Sequence, residues 1–155
     1  METGKENFLL IGIQLDNKTT NKDGQAAIDC GGLWHQFETE KRYGQIEGKL
    51  GNEIYAVYFD YDGDHTQPYS YFIGCKVAEG TAVPQGFKSL KIPAQTYTQK
   101  IAKGVMPACI AEAWREIWKE DANLNRAYQY DFEIYDERCA DWNNAEVDIF
   151  LSVKK

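Results

Sequence analysis

Polar and apolar residues alternate most regularly in the last stretch of the chain, A-E-V-D-I-F-L-S-V over 145–153. A period of two belongs to an extended strand, so Ala145, Val147, Ile149, Leu151 and Val153 share one face, and Glu146, Asp148, Phe150 and Ser152 share the other. The first face is core. The second carries two carboxylates and a ring, and is either an ordinary solvated strand face or the wall of a polar, aromatic pocket. Upstream, 8–15 reads as a strand and 16–24 as a polar loop. Over 25–42, Ala27, Cys30, Trp34, Phe37 and Lys41 recur at helical spacing. Gly31 and Gly32 weaken that helix by about 1 kcal/mol each, and a glycine pair permits close approach of another backbone. Strands at 53–60 and 69–77, joined by the turn 61–68, pair as a hairpin. Residues 79–86, with Gly80, Pro84 and Gly86, form a connector. Strand pattern returns over 87–101, interrupted by Pro93, which cannot occupy a central ladder position. Pro107 opens a second helix through Asp121, with Ile110, Ala113, Trp114 and Ile117 on its apolar face. A strand at 131–136 and a turn at 137–144 lead into the final strand.

The element order is therefore strand, helix, strand, strand, written twice. With the halves superposed, L-W-H-Q-F at 33–37 falls on A-W-R-E-I at 113–117, A-V-Y at 56–58 on E-I-Y at 133–135, and 71–77 on 147–153. The match is one of pattern, with little residue identity. It predicts an α+β fold, a single domain over 1–155 with repeats near 6–78 and 86–155. The duplicated strand-helix-strand-strand units form one antiparallel sheet, with two helices on one face and a ligand groove between the repeats.

A chain of 155 residues buries enough surface for one core without staples. Ten tyrosines and four tryptophans exceed what an aliphatic core needs, and both residue types suit sites that are greasy on one side and wet on the other. A net charge of -7 disfavours contact with phosphate backbones and favours cationic or neutral ligands. Cys30, Cys75, Cys109 and Cys139 are widely spaced, with no C-x-x-C pair, and read as free thiols of a cytoplasmic protein. The two histidines, His35 and His65, are isolated, so no metal site and no cofactor are expected. No run approaches the roughly 18 apolar residues of a membrane span. No P-loop, dinucleotide fingerprint or G-x-S-x-G is present.

Y-A-V-Y-F-D-Y-D at 55–62, Y-S-Y-F-I-G-C-K-V at 69–77, I-P-A-Q-T-Y at 92–97, D-F-E-I-Y-D at 131–136 and E-V-D-I-F-L-S-V at 146–153 occur in that order. Together they resemble the GyrI-like effector-binding family, the ligand-sensing domains of AraC-type and MerR-type multidrug regulators, which also occur as standalone proteins. The resemblance implies a pocket between the repeats, lined by aromatics, in which an acid meets lipophilic cations. That acid stands on the family's last strand, E-V-E-I-Y-I-P, and its second Glu falls on Asp148. Asp is one methylene shorter, and Glu146 on the same strand face is the alternative. Phe150 follows on that face. Tyr58 and Tyr135 occupy equivalent places in the repeats and either line the junction or pack across strands. Tyr97 resembles a cavity-facing family position. Trp118 lies at the edge of its helical stripe and within reach of the groove, Phe132 faces pocket or core, and Glu133 is a reserve acid. Trp34 and Trp114 are assigned to the core.

The leading expectation is a binding module for amphipathic, cationic or aromatic small molecules, acting in sensing or sequestration, alone or with a partner regulator, as monomer or dimer. No helix-turn-helix pattern is legible in 1–155, so direct nucleic-acid binding is not expected. Two alternatives differ in class. One is a hydrolase of reactive electrophiles using Asp148 or Glu146 as acid or base. The other is a protein-inhibitor or interaction module. An enzyme is the less favoured reading.

Overall fold

The structure, a computed structural model, describes residues 2–154; the ends of the expected domain at 1 and 155 lie outside the described residues. Its strands are β1 (Glu2–Lys5), β2 (Phe8–Gln14), β3 (Ile54–Phe59), β4 (Ser70–Val77), β5 (Lys88–Ile92), β6 (Gln95–Gly104), β7 (Asp131–Tyr135) and β8 (Ala145–Ser152). The helices are α1 (Gln25–Thr39), α2 (Arg42–Gln45), α3 (Ala108–Lys119) and α4 (Asp121–Leu124). All eight strands form one sheet in the order β1-β6-β8-β7-β3-β4-β2-β5, and every pairing is antiparallel. The six inner strands make a palindrome in which β2, β3 and β4 of the first half answer to β6, β7 and β8 of the second. At its centre Ala56 faces Glu133, flanked by Tyr58 opposite Asp131 and Ile54 opposite Tyr135. The equivalence of 56–58 with 133–135 read from the sequence is the register of this twofold junction.

Pro93 separates β5 from β6, the break its missing N–H requires. β1 has no counterpart in the sequence reading, because M-E-T-G-K is polar and gives no alternation; it is an edge strand against β6. The close backbone approach expected at Gly31 and Gly32 does not occur, since a Cβ on either would meet nothing within 4 Å. It occurs instead at the cross-strand pair Gly12 and Gly74, where a Cβ would lie 1.9 Å from the Ile73 carbonyl oxygen and 2.4 Å from that of Ile11. No helix among the described residues is long and apolar enough to cross a membrane.

The two faces of the sheet are buried differently. On the helix-free face, Phe8, Tyr55, Phe72, Ile92, Tyr97, Phe132 and Phe150, from seven strands, pack into one cluster, which requires the sheet to curl over itself. On the helix face the core is in two pieces. Leu33 and Phe37 of α1 pack on Ile11, Ile13, Ile73 and Val77, while Trp114 and Ile117 of α3 pack on Ala102, Val147, Ile149 and Leu151. Tyr58 and Tyr135 border both pieces.

Candidate functional site

Each helix covers its own half of the sheet, and the strip between them, over the twofold junction, is a cavity of about 1100 Å³. α1 presents small residues to it, Ala26, Ala27, Cys30 and Gly31, with Trp34 and His35 at one end. α3 presents Ile110, Ala111, Trp114 and Trp118. The floor is Tyr58, Glu133 and Tyr135 of the sheet. The tryptophans are paired across the halves: Trp34 of the first packs on Tyr135 of the second at 4.9 Å between ring centres, and Trp114 of the second on Tyr58 of the first at 4.9 Å. The helical stripes dictate this. Trp34 and Trp114 sit on the core-facing sides of their helices but beside the junction, so each ring leans over the partner half's strand.

Glu133 is the charge at the centre. Its side chain is 1% exposed, and its partners are three neutral donors: the Tyr58 hydroxyl at 2.8 Å, the Trp114 indole N–H at 2.6 Å and the Tyr135 hydroxyl at 2.7 Å. Burial pushes the Glu133 carboxyl above its usual range, and the three hydrogen bonds, which favour the ionised form, oppose that rise. The same burial holds the Tyr58, Tyr71 and Tyr135 hydroxyls well above their ordinary values, so they remain neutral, and those of Tyr58 and Tyr135 stay donors to Glu133. Across the junction the equivalent of Glu133 is Ala56, so among the described residues the cavity has one buried acid, off the pseudo-symmetric pattern of its rings, with the exposed Glu38 of α1 at its edge.

At the rim beyond Tyr58 lies a polar cluster of one guanidinium and two carboxylates. The buried Arg126 guanidinium pairs with Asp131 at 2.6 Å and with Asp121 at 3.3 Å; the Tyr61 hydroxyl donates to Asp131 at 2.7 Å, and that of Tyr128 to Asp121. Asp131 also accepts from the backbone N–H and hydroxyl of Ser152, at 2.7 and 2.9 Å. Arg126 is thus committed to Asp131 and leaves Glu133 uncompensated. His65 closes this end by stacking on Trp118, 5.5 Å between centres with planes at 7°.

Of the residues chosen from the sequence, Tyr58, Tyr135 and Trp118 come together around the cavity. Asp148, Glu146, Phe150, Phe132 and Tyr97 do not line it, and strand phase is the reason. Glu133 lies opposite Ile149 on β8, so residues in phase with Ile149 face the helices, and the even-numbered residues of β8 face away. There Asp148 pairs with Arg138 at 2.7 Å, with Glu146 3.9 Å from the same guanidinium. Phe132 stacks on Phe150 at 5.2 Å and meets Tyr97 at 5.1 Å, inside the helix-free core. The reserve acid, Glu133, takes the central place instead. Trp34 and Trp114, assigned to the core, both pack there and line the cavity; the Trp114 indole donates to Glu133, and that of Trp34 to the Tyr71 hydroxyl at 2.8 Å. A signal for Glu133 was present: in D-F-E-I-Y it stands in phase with Tyr135, the residue matched to Tyr58 across the repeats.

Residues 3–153 match the family described as integron-associated effector binding protein. The chain is 26% identical over 125 residues to YobU of Bacillus subtilis, covering 79% of this chain and 78% of that one. It is 30% identical over 131 residues to the transcriptional regulator BrlR of Pseudomonas aeruginosa, covering 79% of this chain but only 46% of BrlR, so it spans about half of that regulator's length. Among solved structures, SAV2435 bound to tetraphenylphosphonium superposes with a TM-score of 0.79 at 17% identity, covering 99% of this chain and 93% of that one. At that identity the likeness is one of fold.

Proposed function

The chain belongs to the family of integron-associated effector binding proteins, and on that footing we propose that it is a receptor for bulky, lipophilic organic cations held between α1 and α3. The observation that carries this is Glu133: a carboxylate at the floor of an aromatic-walled cavity of about 1100 Å³, with three hydrogen-bond donors and no cationic partner among the described residues. An isolated buried carboxylate is costly. A cation that reaches the cavity without having to shed a tight hydration shell offsets that cost. The faces of Trp34, Tyr58, Trp114 and Tyr135 add quadrupole attraction, on the order of 0.5–2 kcal/mol for each well-placed ring. Tetraphenylphosphonium, the ligand of SAV2435, has the required chemistry: delocalised charge under an apolar surface. The regulator BrlR supports a sensing role, in which the bound state is read by a partner or used to sequester the compound.

Thermal shift with tetraphenylphosphonium and with neutral triphenylphosphine oxide, each recovered for mass spectrometry, tests the reading. The expected result is stabilisation by the cation, little by the oxide, and both compounds recovered intact. No shift with the cation contradicts the receptor. A compound consumed by wild type and spared by Glu133→Gln indicates hydrolysis in the same cavity.

A further inference from the structure

The helix-free face has an opening of its own. A cavity of about 280 Å³ is bounded by Lys5, Asn7, Phe8, Tyr55, Lys76 and Phe132, with Glu6 and Ile134 completing its rim. The rings of Phe8, Tyr55 and Phe132 form its floor as a triangle, 5.6 Å between centres on every side. Lys5 lies on β1, at one edge of the sheet, and Lys76 on β4, close to the other edge. The curl of the sheet brings both to one mouth. The Lys76 ammonium sits 5.3 Å from the centre of the Phe8 ring, and that of Lys5 sits 4.5 Å from the Phe150 ring. Among the described residues neither forms an ion pair with a carboxylate, whereas Lys18, Lys91, Lys100 and Lys119 each do.

We infer that this opening is a second binding site, selective for a small aromatic carboxylate, on the face opposite the main cavity. The three rings, inclined to one another at 47°, 83° and 49°, supply a notch of ring edges and faces against which the edge of one aromatic ring packs, and the two ammonium groups at the mouth supply the charge for one carboxylate, with the Asn7 amide as an additional donor. With Glu6 at the same rim, the two lysines leave one net positive charge at the mouth, which matches a monoanion. The size admits one ring where the main cavity admits several. The two sites share no lining residue and have opposite charge preference, so this site does not depend on the cation receptor described above.

Protein NMR titration with benzoate and with benzamide, in the presence and absence of saturating tetraphenylphosphonium, tests it. Saturable shifts at Phe8, Tyr55 and Lys76 are expected with benzoate at millimolar concentration, weaker ones with benzamide, and no displacement by the cation. Each of Lys5→Gln and Lys76→Gln is expected to lower benzoate affinity roughly two- to fivefold, the range of a partly exposed ion pair, and to leave the benzamide shifts alone. Both lysines are half-buried with no carboxylate partner among the described residues, and unchanged chemical shifts away from the opening check that the variants fold. Equal affinity for benzoate and benzamide, insensitivity to both substitutions, competition by the cation, or no saturable shift would each overturn the proposal.

Discussion

The two faces of this sheet carry the same kinds of residue and put them to opposite ends. On the helix-free face, Phe8, Tyr55, Phe72, Tyr97, Phe132 and Phe150 pack against one another and leave only the small opening of about 280 Å³ beside Phe8 and Tyr55. On the helix face, Trp34, Tyr58, Trp114, Trp118 and Tyr135 surround a hollow. The difference is in what covers them. A curled sheet closes on itself and brings rings from six strands into contact. Two helices cannot close the other face: eight strands at ~4.8 Å spacing span roughly 34 Å, and two helices of ~10 Å diameter cover about 20 Å of it. The uncovered strip falls on the twofold junction because each helix belongs to its own half. Aromatic content alone therefore marks neither core nor site. A ring is part of the core where opposing strands reach it, and part of the site where the covering elements end.

The contrast can be broken most severely by trimming rings on each face. Phe132→Ala on the filled face is expected to cost about 3–5 kcal/mol of stability in chemical denaturation, the value for a large aromatic removed from a closed core. Trp118→Ala, at the edge of the hollow, is expected to cost less, about 1–2 kcal/mol, since the ring is half-buried under His65 and opens onto existing space. Equal costs would mean that the two faces are packed alike.

The buried acid sharpens the contrast through pH. Because burial raises the Glu133 pKa in the fold, the folded state holds its proton more tightly than the unfolded chain does. Its contribution to stability is then fully present below the ordinary carboxylate value of 4.5 and is lost as pH rises through the folded value. Melting temperatures measured against pH for wild type and Glu133→Gln are expected to coincide in acid and to diverge above pH 4.5 in favour of the variant. A saturating lipophilic cation, which favours the ionised carboxylate, is expected to narrow the gap. Parallel curves would show that the three hydrogen bonds fully compensate for burial.

A smaller effect is expected at the small-residue wall. A Cβ on Gly31 meets nothing within 4 Å, and Gly31 lines the cavity. Gly31→Leu is expected to stabilise α1 by up to about 1 kcal/mol and to fill part of the hollow. By calorimetry it should weaken tetraphenylphosphonium roughly tenfold and spare a small cation such as trimethylphenylammonium. Smallest of all, Asp148→Asn is expected to change cation affinity less than about twofold, because Asp148 is held by Arg138 on the far face.

Much of the fold was legible because alternation and helical spacing carry it. The two helices, the break at Pro93 and the duplicated order follow from residues that must face a core. Even the junction register could be read, from A-V-Y against E-I-Y. The site was legible only in part. Tyr58 and Tyr135 emerged from the repeat, and Trp118 from its off-stripe position. The acid emerged only as the reserve, Glu133 behind Asp148, because alternation separates the two faces of β8 without saying which one the helices cover; Asp148 and Glu133 each stand two residues from a ring in such a strand. The phase of Glu133 with Tyr135 pointed to it, and the pairing of Glu133 with Ile149, a property of the assembled sheet, decides it. The polar ring of Arg126, Asp121 and Asp131 was illegible for a related reason, since Tyr61 reaches Asp131 across 70 positions of sequence.

The account rests on Glu133 meeting a cation in the hollow between the helices, and a thermodynamic cycle over protein charge and ligand charge tests it most directly. Calorimetric titration of wild type and Glu133→Gln with tetraphenylphosphonium and with neutral triphenylphosphine oxide gives four affinities. Wild type is expected to prefer the cation by tenfold or more, about 1.4 kcal/mol, and the amide variant is expected to lose that preference while binding the neutral compound as before. The same preference in both proteins would place the cation's partner elsewhere and contradict the account.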